Sequence, residues 1–292
     1  HKEYRRQRQM CIRDREKEMF YLLNYTRKPV SSILYDARLA YSMHLAISDD
    51  GEKFQALNHN SGVLFVKATE NEDGSLNPKS IKNPFIFQLK EEGYGVVAVR
   101  TKADGEDDEE SRGCVVLFFT KDFLEYEELG LFHLEEQYVE EVICEFEEEC
   151  YIVRWKNRDG ICSVGQTSDI RKRDLDSVVM MTEETLQKSV ILPKNAEIEG
   201  AVFHNMIEIP ENLAERLEKK LLTPMNTGMS FPKQVIASSR SELNQFLAMV
   251  SYSDGTFVQK RVDWEFSDDI FREEGRYRIQ GKAVSYTHLR AH

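Results

Sequence analysis

Between residues 18 and 170 the chain runs in short segments of β-branched and aromatic residues, many alternating apolar with polar positions. MFYLLNYTR (19–27), LAYSMHLAIS (39–48), SGVLFVKAT (61–69), NPFIFQL (83–89), YGVVAVRT (94–101), CVVLFFT (114–120), VEEVICEF (139–146), CYIVRW (150–155) and ICSVGQT (161–167) are therefore predicted strands. Turn dipeptides such as Asp50-Gly51, Glu92-Gly93 and Asp159-Gly160 punctuate them. No amphipathic helix of useful length interrupts the series, so this part reads as all-β. After 170 the pattern changes. In PENLAERLEKKLLTP (210–224) Leu213, Leu217 and Leu221 recur every four residues, Pro210 suits a first turn and Pro224 a stop. That predicts a short amphipathic helix. Strand signals return from 232 in VIASS, FLAMVSYSDGT, FVQKRVDWEF and GRYRIQGKA.

A motif recurs in the β region: Ser or Thr, any residue, Asp, and a bulky side chain further on. Its copies are Ser48-Asp49-Asp50 through Phe54, Thr120-Lys121-Asp122 through Tyr126, and a weaker Thr167-Ser168-Asp169. Each follows an apolar strand and closes a unit of three or four strands. Repeated small antiparallel sheets cannot bury both faces alone, and stacking them as propeller blades solves that problem. Ser-x-Asp turns are also common by chance, so the strand context carries the assignment.

Composition sharpens this picture. With 292 residues, 41% hydrophobic and 10% aromatic, the chain has material for a real core. Its formal charge of −12 repels phosphate backbones, which argues against a nucleic-acid partner. No apolar run of about 18 residues predicts a membrane span. Residues 1–15 carry six Lys or Arg against two Asp or Glu and contain no apolar signal-peptide core. QRQMCIRDR and VSYTHLRAH (284–292) read as sequence foreign to the fold, the alternative for the first being a basic anchoring arm. Cys114, Cys144, Cys150 and Cys162 form no CxxC pair and have no histidine at zinc-finger spacing, so no structural zinc site is expected. With no P-loop or Gly-rich dinucleotide fingerprint either, the expectation is no metal and no cofactor. The acidic segment KADGEDDEESR (102–112) is expected to be a solvated hairpin tip, with calcium binding the lesser alternative.

Two resemblances follow from quoted residues. Tyr252-Ser253-Asp254-Gly255-Thr256, Asp263-Trp264 and Gly275-Arg276-Tyr277-Arg278-Ile279-Gln280-Gly281 resemble the small bacterial immunoglobulin-like module of the group 4 type. That resemblance implies a β-sandwich over 232–283, with Trp264 and Tyr277 as core bodies. Leu39 to Phe54, with its Ser-x-Asp-Gly ending, and Ile81-Lys82-Asn83-Pro84-Phe85-Ile86 resemble the five-bladed propeller glycosidases of glycoside hydrolase family 43. The expected organisation is a foreign tail (1–15), a family-43-like propeller segment (16–200), a linker with a helix (201–231), the immunoglobulin-like domain (232–283) and a foreign tail (284–292). The expected fold class is all-β: partial propeller blades joined by a short α-helix to a small sandwich.

The propeller resemblance implies arabinose- or xylose-containing plant cell-wall glycans as partners, and an extracellular or cell-surface location. Inverting glycosidases need an acid and a base carboxylate about 6.5–9.5 Å apart. The family's third Asp position holds Asn83, which does not ionise, and YLLNYTR (21–27) lacks the base Asp. This portion is therefore expected to be non-catalytic, part of a longer polysaccharide-degrading protein. Two alternatives stay open. The first is an active hydrolase using Glu141 (or Glu140) as acid with Asp36 or Asp49 as base. The second is a carbohydrate-binding or scaffold protein displaying Tyr151 and Trp155. His44 and Arg100 complete the candidate substrate contacts, each with a plainer reading: a core histidine, and an arginine paired to a neighbouring acid.

Overall fold

The computed structural model describes residues 19–29, 37–188, 190–222, 224, 226–252 and 255–283. Both proposed foreign tails, Asp36, Ser253 and Asp254 lie outside the described residues. The chain divides into two compact units, the first ending at Leu222.

The first unit contains three four-stranded antiparallel sheets. β1 (Met19–Arg27) is followed by the one-turn helix α1 (Ala37–Ala40), β2 (His44–Ser48) and the two-residue β3 (Gln55–Ala56). A minor hairpin, β4 (Thr69–Glu70) with β5 (Leu76–Asn77), precedes the second sheet. That sheet is a meander of β6 (Lys79–Gln88), β7 (Tyr94–Lys102), β8 (Cys114–Thr120) and β9 (Glu127–His133). The third meander is β10 (Val139–Glu147), β11 (Cys150–Asn157), β12 (Cys162–Thr167) and β13 (Ser177–Met181). After the short α2 (Glu183–Lys188), β14 (Ala201–Pro210) returns to pair with β1, which makes the first sheet β14-β1-β2-β3.

The sheets stack through their faces, as propeller blades do. Leu22, Leu45 and Ile47 of the first sheet and Ile86, Val96, Val116 and Phe118 of the second share one apolar core. Phe87, Val97, Leu117 and Phe119 of the second and Val142, Cys144, Val153 and Trp155 of the third share another. In β7 and β8 unbroken apolar runs fill both of these cores, because the middle sheet is covered on both faces. At about 25 cal/mol per Å² of apolar area removed from water, these two layers are the main source of stability.

The three Ser/Thr-x-Asp copies occupy equivalent corners, each after the third strand of its sheet. Ser48 Oγ accepts from the Gly51 amide at 2.9 Å, and Asp50 Oδ1 accepts from the Glu52 and Lys53 amides at 2.8 Å. Thr120 Oγ1 accepts from the Phe123 amide at 2.8 Å, and Asp122 Oδ1 from those of Leu124 and Glu125 at 3.1 and 3.3 Å. In the third corner Thr167 Oγ1 accepts from Asp169, and Asp169 Oδ1 from Arg171. The motif thus satisfies backbone donors that have left the ladder. Its amide and hydroxyl donors, led by Lys53 N–H, hold the Asp50 carboxyl down at about 2. The position after each of the first two Asp residues is left-handed, with φ +73° at Gly51 and +57° at Phe123. Glycine takes that conformation freely; Phe123 does so while fully buried against Tyr94, with ring centroids 4.6 Å apart.

Several expectations are corrected here. SGVLFVKAT forms no strand beyond a single Met43–Leu64 bridge and the start of β4. The EELGLFH, SVVMM and AVFHNMIEIP segments, in contrast, are strands β9, β13 and β14. Residues 201–222 are not a linker. β14 is hydrogen-bonded to β1 along its whole length, and α3 (Glu211–Leu221) buries Leu213, Ala214 and Leu217 in the first core. The 102–112 segment is not wholly solvated either, since Asp108 is buried. The four cysteines 114, 144, 150 and 162 are free thiols.

The second unit has a three-stranded sheet of β15 (Asn226–Ser230), β16 (Ala248–Tyr252) and β17 (Phe257–Lys260), with the one-turn α4 (Arg240–Leu243) before β16. A two-stranded ladder pairs β18 (Val262–Glu265) with β19 (Gln280–Ala283). Gly255, at φ +79°, supports the hairpin between β16 and β17 and donates to Tyr252 O at 2.9 Å. Leu243, Ala248, Val250 and Val262 are buried. Tyr277 is 49% exposed, so it is not a core body; its hydroxyl instead donates to Glu273 O.

Candidate functional site

The innermost strands of the three sheets meet around a bulge in β6. Register slips there between Lys82 and Phe85, and Asn83 takes φ +49°. A bulge frees one residue from the ladder and re-aims its side chain. The Asn83 carboxamide donates to Glu140 O of β10 at 2.6 Å. On the other side Asn24 Nδ2 of β1 donates to Pro84 O and to Asn205 Oδ1 of β14. Asn205 then clasps β6, accepting from Ile86 N–H at 3.1 Å and donating to Ile86 O at 2.8 Å. Three asparagines therefore tie three sheets together with neutral amides. Such groups bind and position; at neutral pH they neither donate nor accept a catalytic proton.

Glu140 and Glu141 follow on β10. Both are exposed, and Glu140 lies 3.7 Å from Arg158, which is bound to Asp107. Glu141 stands opposite Lys156 in the register, and Lys156 is paired with Glu183 at 2.7 Å. Asp49 is exposed, at the opposite end of β2 from His44.

The proposed substrate contacts are occupied by the fold. His44 is fully buried, its Nδ1–H donating to Ser42 O at 3.0 Å and its ring 5.3 Å from that of Tyr25. The buried Nε2 lone pair has no partner among the described residues, and burial holds the imidazole down at about 4. Arg100 is buried in a four-charge cluster. Its Nε donates to Asp108 at 2.7 Å and its Nη2 contacts Glu110 at 3.2 Å, while Lys79 reaches the same two carboxylates at 2.8 and 3.2 Å. Tyr151 is buried against Phe87 and Phe146, and its hydroxyl accepts from Lys90 N–H. Trp155 is 1% exposed and donates Nε1–H to Glu135 at 2.6 Å. Neither aromatic offers a face to a sugar, which corrects the expectation of an exposed row.

The structure brings Asn83 and Glu140 together and leaves His44, Arg100 and the Tyr151–Trp155 pair in separate places. Asn24 and Asn205 escaped the sequence reading. The available signal was a lone amide inside each apolar strand, in MFYLLNYTR and AVFHNMIEIP. A groove of about 380 Å³ in this unit is lined by Leu89, Phe119, Asp122, Tyr126 and Arg171. Arg171 caps the Phe119 ring at 4.4 Å there, and Arg216 binds Asp122 at 2.7 Å. None of the sequence candidates lines that groove. Among the described residues no three His, Cys, Asp or Glu side chains cluster to hold a metal ion, and no helix is long and apolar enough to cross a membrane.

No family model matches the sequence, and no curated protein matches it. Among solved structures, the chain is similar to the Bombyx mori GH32 beta-fructofuranosidase BmSUC1, with a TM-score of 0.37 and 17% identity. The similarity covers 56% of this chain and 35% of that one, so it spans about a third of the silkworm enzyme's length.

Proposed function

We propose that this chain is part of a bacterial polysaccharide-degrading protein of the family 43 glycosidase type. In this reading it is secreted or held at the cell surface, directed at arabinose- or xylose-containing plant glycans, and non-catalytic in this portion. The second unit is read as its immunoglobulin-like module. Three stacked four-stranded sheets with equivalent Ser/Thr-x-Asp corners support a propeller origin.

One observation carries the non-catalytic reading. At the position where that family has an ionisable Asp, Asn83 spends its amide on the Glu140 carbonyl. Cleavage with inversion requires two carboxylates across one sugar, whereas the inner strands here meet through amides. The purified chain is expected to release nothing from nitrophenyl arabinofuranoside or xyloside, while arabinan or xylan cast in a native gel retards its migration. Sugar release that disappears in Glu141→Gln would establish the active-hydrolase alternative instead. Unretarded migration in both polymers would remove these glycans as partners.

A further inference from the structure

The second unit carries a cleft of about 880 Å³ walled by α4, the residues after it, Arg261 and the first residues of β18. Asn244, Gln245, Arg261, Asp263 and Trp264 line it together with Arg240. Arg240 is committed to the fold. It binds Asp268 at 2.7 Å, donates to Phe266 O at 2.9 Å and caps the Phe266 ring at 4.3 Å. Asn244, Gln245, Arg261 and Asp263 have no side-chain hydrogen bond or ion pair among the described residues.

Trp264 gives the cleft a fixed wall. Its ring meets Phe231 edge-on with centroids 5.1 Å apart. It also lies against its cross-strand partner Gly281, where an added Cβ would come within 2.7 Å of the indole. The ring is thus fixed, yet its buried Nε1–H has no acceptor among the described residues.

We propose that this cleft binds a short acidic saccharide. A carboxamide offers a donor and an acceptor side by side, as a pair of sugar hydroxyls requires, and Asn244 and Gln245 supply two in sequence. Asp263 adds an acceptor for hydroxyl protons. Arg261 is the uncommitted cation of the wall, and its planar fork matches a carboxylate in two hydrogen bonds. In a chain of net charge −12, holding an anionic sugar requires such a local cation. The proposal rests on the glycan reading above and narrows it to uronate-bearing chains.

Calorimetry on the full chain with trigalacturonate, xylotriose and inorganic phosphate tests it. Trigalacturonate is expected to bind and to be weakened about tenfold or more in Arg261→Gln. Asn244→Ala should weaken it too, and both substitutions are at exposed positions that leave the fold intact. Binding should change tryptophan fluorescence, and Trp264→Phe should abolish that change. No trigalacturonate binding, equal binding in Arg261→Gln, or displacement by phosphate at matched concentration would each overturn the proposal. If arabinan or xylan retards the chain but trigalacturonate does not bind, this inference fails and the glycan reading stands. The reverse result would remove the arabinose and xylose substrate class and leave the cleft assignment standing.

Discussion

Replacing Asn205 with alanine removes the clasp between the first and second sheets. The side chain is buried and its amide serves both polar groups of Ile86, itself 1% exposed, besides Asn24. Losing it strands the Ile86 N–H and C=O in a place water does not reach. Each stranded buried group costs about 1–3 kcal/mol, so the substitution should destabilise the first unit by about 2–6 kcal/mol. Against a total stability of about 5–15 kcal/mol, that is a large fraction. Urea unfolding in a Trp264→Phe background reports the first unit alone, because Trp155 is then the remaining tryptophan. Asn205→Leu separates hydrogen bonding from packing: leucine fills the space but strands the same groups, so it should be nearly as destabilising as alanine. A cycle with Asn24→Ala should show coupling of about 0.5–3 kcal/mol. A loss below about 1 kcal/mol in Asn205→Ala with an unchanged denaturant slope, or a leucine variant as stable as the parent, would refute the amide clasp.

Acid should destabilise the first unit through His44. Its folded pKa of about 4 lies below the ordinary 6.5, so the unfolded chain takes up the proton first. The stability it contributes is complete above pH 6.5, declines as pH falls towards 4 and levels off below; over that window the loss is about 3 kcal/mol. His204, also held down at about 4 by burial and bonded to Thr26, adds in the same direction. Melting temperatures from pH 7 to 4 should show this slope flattened in His44→Gln, and an unchanged slope would count against it. In the buried charge cluster, Asp108→Asn leaves Lys79 and Arg100 facing Glu110 alone, and a loss of about 3–5 kcal/mol in chemical denaturation is expected. A near-neutral result would mean the two cations reach water.

Much of the β architecture was legible along the chain because strand periodicity and turn chemistry are local. MFYLLNYTR coincides with β1, and CVVLFFT with β8. The Ser/Thr-x-Asp corners were readable for the same reason: each bonds to amides within three residues of itself. SVVMM and AVFHNMIEIP carried weaker signals, and β14 is a strand because β1 lies alongside it, 174 or more residues earlier in the chain. Function-bearing side chains depended even more on distant partners. Trp155 and Tyr151 have the chemistry to stack on sugars, and only packing of the third sheet on the second shows both to be interior. Asp108 belongs to an acidic run that reads as solvated, yet Lys79 and Arg100, brought beside it by β6 and β7, take it out of water. Local sequence sets which hydrogen bonds a segment makes with itself; burial and charge pairing are sums over neighbours that only the folded chain brings together.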